Sequence, residues 1–231
     1  MDSVVWKNIT AARQSASLHV YQNPCDTWIW TASPHGLFTL TSAWNIERSP
    51  APIFNLAEVI WYSWYNPKMS CCTLRAIHDR LPTTARLKHF QIVDNDACVL
   101  CDTGNETINH LYFVCPYSSY IWTICKLKLG MNSLATTLCE KASNIKLKFK
   151  KRNKCYFLSR LVLCGAVWHL WQERNRRIFQ YQKMCKILLF RRLYDDIHLM
   201  LKTCHWKEPD DDNELIILSN WSQQFRTWNL N

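Results

Sequence analysis

The spacing Cys98-x2-Cys101-x8-His110-x4-Cys115 constrains this chain more than any other feature. Two thiolates separated by two residues can reach one tetrahedral ion from a single tight turn, at Zn–S distances of about 2.3 Å. Asp102, Gly104 and Asn105 are the turn formers needed to bring the chain back, and Asn105 is placed to cap a short helix starting near Glu106. His110 and Cys115 are harder to reconcile. On a continuous α-helix of 3.6 residues per turn, that spacing separates the two side chains by about 140°. Pro116 offers a way out, because the residue before a proline is disfavoured in the α region, so Cys115 is expected to leave the helix and turn back toward the metal. Three cysteines and one histidine fill a tetrahedron and leave no position for a substrate. The expected cofactor is therefore one structural Zn2+ per chain on Cys98, Cys101, His110 and Cys115.

Around this block the apolar periodicity is mostly helical. Asp26–Thr31 and Leu37–Thr41 alternate across Ser33-Pro34-His35-Gly36 and predict a β-hairpin. Thr41 or Ser42 then caps a short helix through Trp44, and Leu56 to Tyr65 reads as helical and aromatic. Helices are predicted from Asn66-Pro67 to about Arg80, from Thr83 to Phe90, and from Tyr117 to Leu129 with Gly130 as the stop. Three more are expected over 154–180, 184–203 and 213–228. The fold class is mainly α with a small β-hairpin near the N-terminus: a Cys3His zinc-organised helical module followed by a helical C-terminal region. The expected division is an N-terminal extension over 1–25, the zinc-binding domain over 26–130, and a basic then acidic helical region over 131–231.

The longest apolar run, Cys155 to Trp171, is interrupted by Arg160 and His169 and is shorter than the ~20 residues a membrane span needs. It reads as a buried helix, and no signal-peptide pattern opens the chain. An intracellular protein is expected, so the twelve cysteines are read as reduced. Cys25, Cys71, Cys72, Cys125, Cys139, Cys155, Cys164, Cys185 and Cys204 are expected to be small buried hydrophobes.

An ordered set of residues carries a family resemblance. Asp26-Thr27-Trp28, Gly36-x-Phe38-Thr39 and Ser42-Ala43-Trp44 are followed by Ile60-Trp61, Pro67-Lys68, Arg80-Leu81-Pro82-Thr83 and Arg86-Leu87. The metal block with Glu106-Thr107 and His110-Leu111-Tyr112-Phe113 comes next, and Trp122 closes the set. This resembles the zinc-binding domain that follows the reverse transcriptase in plant non-LTR (LINE-type) retrotransposons. A downstream block, Trp168-x2-Trp171-x-Glu173-Arg174-Asn175-x-Arg177-x-Phe179, is similar to a second block of such elements. Cys71, Cys72 and Leu74 stand where these sequences usually have aromatic residues. The polymerase and endonuclease regions of a complete element are not among the 231 residues, which suggests a stand-alone or truncated derivative. The resemblance implies RNA or single-stranded nucleic acid as partner.

No catalytic constellation is expected. Tyr194-Asp195-Asp196 lacks the intervening residue of a polymerase aromatic-x-Asp-Asp motif and reads as a solvated helix face, and no phosphate loop or nucleophile elbow is present. The charge is uneven: residues 141–192 hold fifteen Lys/Arg against one Asp/Glu. Lys146, Lys148, Lys150, Lys151, Arg152 and Lys154 alternate with Leu147 and Phe149, as a row of ammonium groups along one edge would. Arg174, Arg176 and Arg177, with Trp168 and Trp171, offer guanidinium and aromatic surfaces for phosphates and bases, although the two tryptophans continue an apolar helix and individually read as core. The run Lys150-Lys151-Arg152-Asn153-Lys154 also suits a nuclear-import signal, which makes the nucleus the expected location. A protein-interaction module without nucleic-acid contact is the competing reading.

Overall fold

Helical spacing outweighs alternation in the sequence, and the computed structural model follows that balance. It describes residues 4–48, 54–62, 66–131, 135–149, 153–203 and 212–222. Among these are ten α-helices and one two-stranded sheet. No helix is long and apolar enough to cross a membrane.

The chain divides into two compact units, Met1–Phe54 and Asn55–Asn231. The first unit contains α1 (Val4–Ser17), β1 (Val20–Gln22), β2 (Trp28–Trp30) and α2 (Leu40–Glu47). The hairpin lies earlier than the alternation suggested: β1 pairs antiparallel with β2, Val20 opposite Trp30. Asn23 makes its turn, its Oδ1 accepting from the N–H groups of Cys25 and Thr27 at 3.1 and 2.9 Å. Leu37–Thr41 is not a strand, because Thr39 and Ser42 form a reciprocal capping box that starts α2 at Leu40. Trp30 is buried, donates from Nε1 to Ser42 Oγ at 2.8 Å, and meets Phe38 edge-to-face at 5.1 Å.

The second unit is built on α8 (Lys154–Phe179), 26 residues long and so about 39 Å from end to end. Asn153 caps its start by accepting from Cys155 N at 2.6 Å. Leu158, Leu161, Val162, Leu163, Ala166, Val167 and Leu170 are buried. Apolar residues fall on every side, as befits a helix with no solvent face. Against it pack α4 (Pro67–Ile77), α6 (Pro116–Lys128), α7 (Leu138–Lys148), α9 (Lys186–Thr203) and α10 (Asp212–Ser222); α3 (Ala57–Ile60) and α5 (Thr84–His89) complete the unit. Gly165 gives α9 its close approach, since a Cβ there would stand 2.9 Å from Leu193 Cδ1. Trp221 anchors α10: it is fully buried and stacks on Tyr194 at 5.6 Å.

The caps at Asn66 and Thr83 and the left-handed Gly130 stand where the sequence places them. α1 and α7 were not anticipated. α7 matters, because it replaces the extended strip expected over 146–149. Thr137 and Glu140 form a capping box, and helical rotation then leaves Leu147 82% exposed rather than buried on an edge. Cysteine placement also departs from expectation. Cys72, Cys125, Cys155 and Cys164 are buried, while Cys25, Cys71, Cys139 and Cys185 are exposed. Cys71 lies on the outer stripe of α4 between Lys68 and Arg75, the face turned away from α8. Cys204 lies outside the described residues.

Candidate metal centre

The metal loop begins as a narrow turn. Ala97 and Asn105 pair in an antiparallel bridge, Cys98 N donates to Gly104 O at 2.9 Å, and Asp102 N donates to Cys98 O at 2.7 Å. Asp102 and Gly104 reverse the chain with φ of 59° and 66°. Glycine is required at 104 for a second reason: a Cβ there would come within 3.1 Å of His110 Cε1, so its absence makes room for the imidazole. The short helix that follows is capped by Thr107, whose Oγ1 accepts from His110 N at 3.0 Å. Asn105, the expected cap, is occupied by the bridge.

The misfit between His110 and Cys115 is relieved mainly by a π-turn, His110–Val114, in which Cys115 N donates to His110 O at 2.8 Å. Five residues per hydrogen-bonded turn widen the helix locally and bring both side chains to one side. Pro116 has its expected effect as well, since Cys115 is extended at φ −57°, ψ 128°. One ligand atom each from Cys98, Cys101, His110 and Cys115 then lies within 4.8 Å of all the others, and Cys101 Sγ is 3.3 Å from His110 Nε2. A zinc tetrahedron with bonds of about 2.0–2.3 Å has edges of roughly 3.6–3.8 Å. The four atoms fit that ion.

The donor chemistry fits as well. Cys98 and Cys115 share a side-chain hydrogen bond that pulls the Cys115 thiol down and, with burial, pushes Cys98 up. Backbone N–H groups of Leu100 and Cys101 point at the Cys98 sulfur, and those of Tyr117 and Ser118, in the first turn of α6, at Cys115. These donors stabilise thiolates. Cys98 and Cys115 are buried and Cys101 and His110 partly so; three cysteine sulfurs and one imidazole nitrogen would close the shell around the ion, the arrangement of a structural site.

The loop is fastened to the end of α8 by two buried carboxylates. Glu106 accepts from Thr84 N at 2.9 Å, Val99 N at 3.3 Å, and both Nε and Nη2 of Arg174 at 3.0 and 2.9 Å. Arg174, 2% exposed, also donates to Pro82 O at 3.0 Å and lies 4.8 Å over Trp171. Glu173 accepts from Arg176, Arg177 and Met184 N at 2.8–3.0 Å. Arg177 in turn donates to the metal-loop carbonyls of Val99 and Leu100 at 3.2 and 2.8 Å. Arg174, Arg176 and Arg177, read from the sequence as a phosphate-facing surface, pair here with buried acids, and Arg174 and Arg177 also tie the metal loop down. The partners of Arg174 lie 68 and 92 residues away, and no local signal reveals such a pairing.

The remaining basic residues of that strip are scattered. Lys146 pairs with Glu58 at 2.9 Å, Lys148 donates to Gly130 O, and Lys154 lies 3.8 Å from buried Glu214. Lys150, Lys151 and Arg152 lie outside the described residues. Lys154 and Arg174 stand about 30 Å apart along α8. Asp195 and Asp196 are exposed on α9, and Asp196 meets His169 Nε2 at 2.9 Å.

Residues 38–122 match the family described as zinc-binding in reverse transcriptase. The matched stretch contains all four ligands and Glu106, while Glu173, Arg174 and Arg177 fall beyond it. No curated protein and no solved structure matches the chain.

Proposed function

We propose that this protein is a non-catalytic, zinc-stabilised nucleic-acid-binding module of the kind that accompanies plant LINE-type reverse transcriptases, taking RNA or single-stranded nucleic acid in the nucleus. The observation behind this reading is the closed Cys3His loop on Cys98, Cys101, His110 and Cys115, within residues that match the reverse-transcriptase zinc-binding family. A shell without an open position suits a scaffold that holds a surface in shape, because zinc catalysis requires a site for water or substrate. The ion would be held by those four side chains and would supply cross-linking of the loop. The excess of basic residues, +10 over the chain, favours a polyanion.

The test is binding of labelled single-stranded RNA and duplex DNA of equal length across a salt series. Affinity that falls linearly with log salt supports the reading, and no binding to either at low salt overturns it. A protein-interaction module is the second reading. It draws on the first unit, where Trp28, Phe38 and Trp44 are all more than half exposed.

A further inference from the structure

The α4–α5 corner combines charge with an exposed aromatic ring. From residue 66 through 93 the chain holds Lys68, Arg75, Arg80, Arg86 and Lys88 against the single acid Asp79. On α4, Lys68, Arg75 and His78 fall on one stripe and are exposed, as their 3.6-residue spacing requires. Contacts then link Arg75 through the turn at Asp79 and Arg80 to α5. Arg75 donates to Arg80 O at 3.4 Å, Arg86 donates to Asp79 O at 2.6 Å, and the Arg86 guanidinium lies 5.4 Å from the Phe90 ring centre. Phe90 is 55% exposed at the end of α5, with His89 edge-on at 5.3 Å.

The corner is also held by the metal loop. Glu106 receives the first amide of α5, Thr84 N, and Arg174 grips Pro82 O just before it. Thr84 Oγ1 donates to Asp96 O at 3.1 Å, and Lys88 pairs with Asp96 at 3.1 Å.

We propose that this corner is the surface that receives a single-stranded nucleic acid, with Arg75 and Arg80 on phosphates and Phe90, braced by Arg86, stacking on an unpaired base. The proposal rests on the nucleic-acid reading above and places its contacts away from the 146–154 strip. A base needs an exposed aromatic face next to cations that follow the backbone, and the corner brings both together. In a duplex the bases are already stacked, so Phe90 adds little there and single strands are preferred.

The probe is a labelled oligouridine of about 12 nucleotides, within the span a single domain covers, with duplex DNA of the same length as comparison. Arg75→Ala with Arg80→Ala should reduce the slope of log K against log salt by about 1.4, or 0.7 per contact. Phe90→Ala should weaken oligouridine binding by about 5- to 150-fold, from the 1–3 kcal/mol of one stacked base. It should leave duplex binding within about twofold, and Phe90→Tyr should restore the loss. Zinc content and circular dichroism unchanged from the parent show that the corner still folds. If the parent binds oligouridine and these variants bind equally well, the corner is overturned and the nucleic-acid reading stands on another surface. If Phe90→Ala and Phe90→Tyr are equally impaired, the stacking role is overturned. Parent protein that binds neither probe at low salt overturns the corner and the broader reading together.

Discussion

Arg174 and Arg177, at the end of α8, and Arg75 and Arg80, on the α4–α5 corner, share a side chain and differ in everything around it. The first pair is buried against Glu106, Glu173 and the metal-loop carbonyls; the second is open to solvent. Counting charge along the sequence singles out the first pair, whose charge is answered inside the fold. The 141–192 segment is the most basic, yet much of that charge is answered by acids and carbonyls distant in sequence. The corner is hidden in a nearly neutral half of the chain. A cation's function is decided by what the fold places opposite it.

Loss of a metal ligand should break this comparison most completely, because the buried pair closes on a loop shaped by the metal. Cys98→Ser or Cys115→Ser should reduce zinc from about one per chain to none, measured by elemental analysis of protein refolded with the ion. Structural zinc contributes roughly 10–16 kcal/mol of apparent binding energy in small peptide modules, so the segment between Asp96 and Trp122 should lose its hydrogen-exchange protection. Full protection without zinc would mean that Glu106 and Arg177 organise the loop without the ion.

Next in size is the buried pair itself. Arg174→Ala leaves Glu106 buried at 0% exposure with only backbone donors, and removing one partner of such a pair costs about 3–5 kcal/mol. Urea unfolding should register a loss of that order. Changing both residues, Arg174→Met with Glu106→Leu, should cost less than Arg174→Ala alone, because no lone charge remains in the interior. A double change that costs the sum of the two single changes would contradict that account.

The metal block was legible because its chemistry is local: four residue types at fixed spacing, with turn formers between them. Helices α4, α5 and α6, marked by Asn66, Thr83 and Gly130, were legible for the same reason, and α8 from its apolar run. What escaped depended on geometry or on distance in sequence. The π-turn at His110–Val114 leaves no mark in composition, and the proline after it explained only part of the ligand geometry. The hairpin moved because Thr39 and Ser42 favoured a helix start over a strand. Glu106 read as a helix-start acid, although its main partner is Arg174. Cys71 read as core, but helical rotation places it on the outer face of α4.

Lys141 stands between the two classes, half-buried and answered by aromatic rings. Its ammonium lies 4.7 Å from the Phe113 ring and 5.4 Å from that of Trp122 and donates to Ala135 O at 2.8 Å. Burial, reinforced by Lys126, pushes its pKa down from 10.5 to about 8. Between those values the unfolded chain binds more protons than the folded one, so this residue makes stability rise with pH across that window. Lys141→Met should lack that rise in urea unfolding followed from about pH 7.5 to pH 10. Identical pH profiles for the two proteins would place the ammonium in water instead.

The smallest expected effect sharpens the comparison furthest. Arg75→Ala and Arg80→Ala remove the same charge as Arg174→Ala but should change stability by no more than about 0.5 kcal/mol, the range for surface positions without a specific partner network. The Arg75 bond to Arg80 O, long at 3.4 Å, competes with water in the open and adds little. Arg86→Ala should cost somewhat more, because its 2.6 Å bond to Asp79 O braces the left-handed turn at Asp79, φ 50°. The ranking Arg174, Arg86, then Arg75 and Arg80 can be read from four single variants in one urea series. A cost at Arg75 or Arg80 close to that at Arg174 would mean that the corner is part of the structural frame, with its charges committed to holding α4 and α5 together.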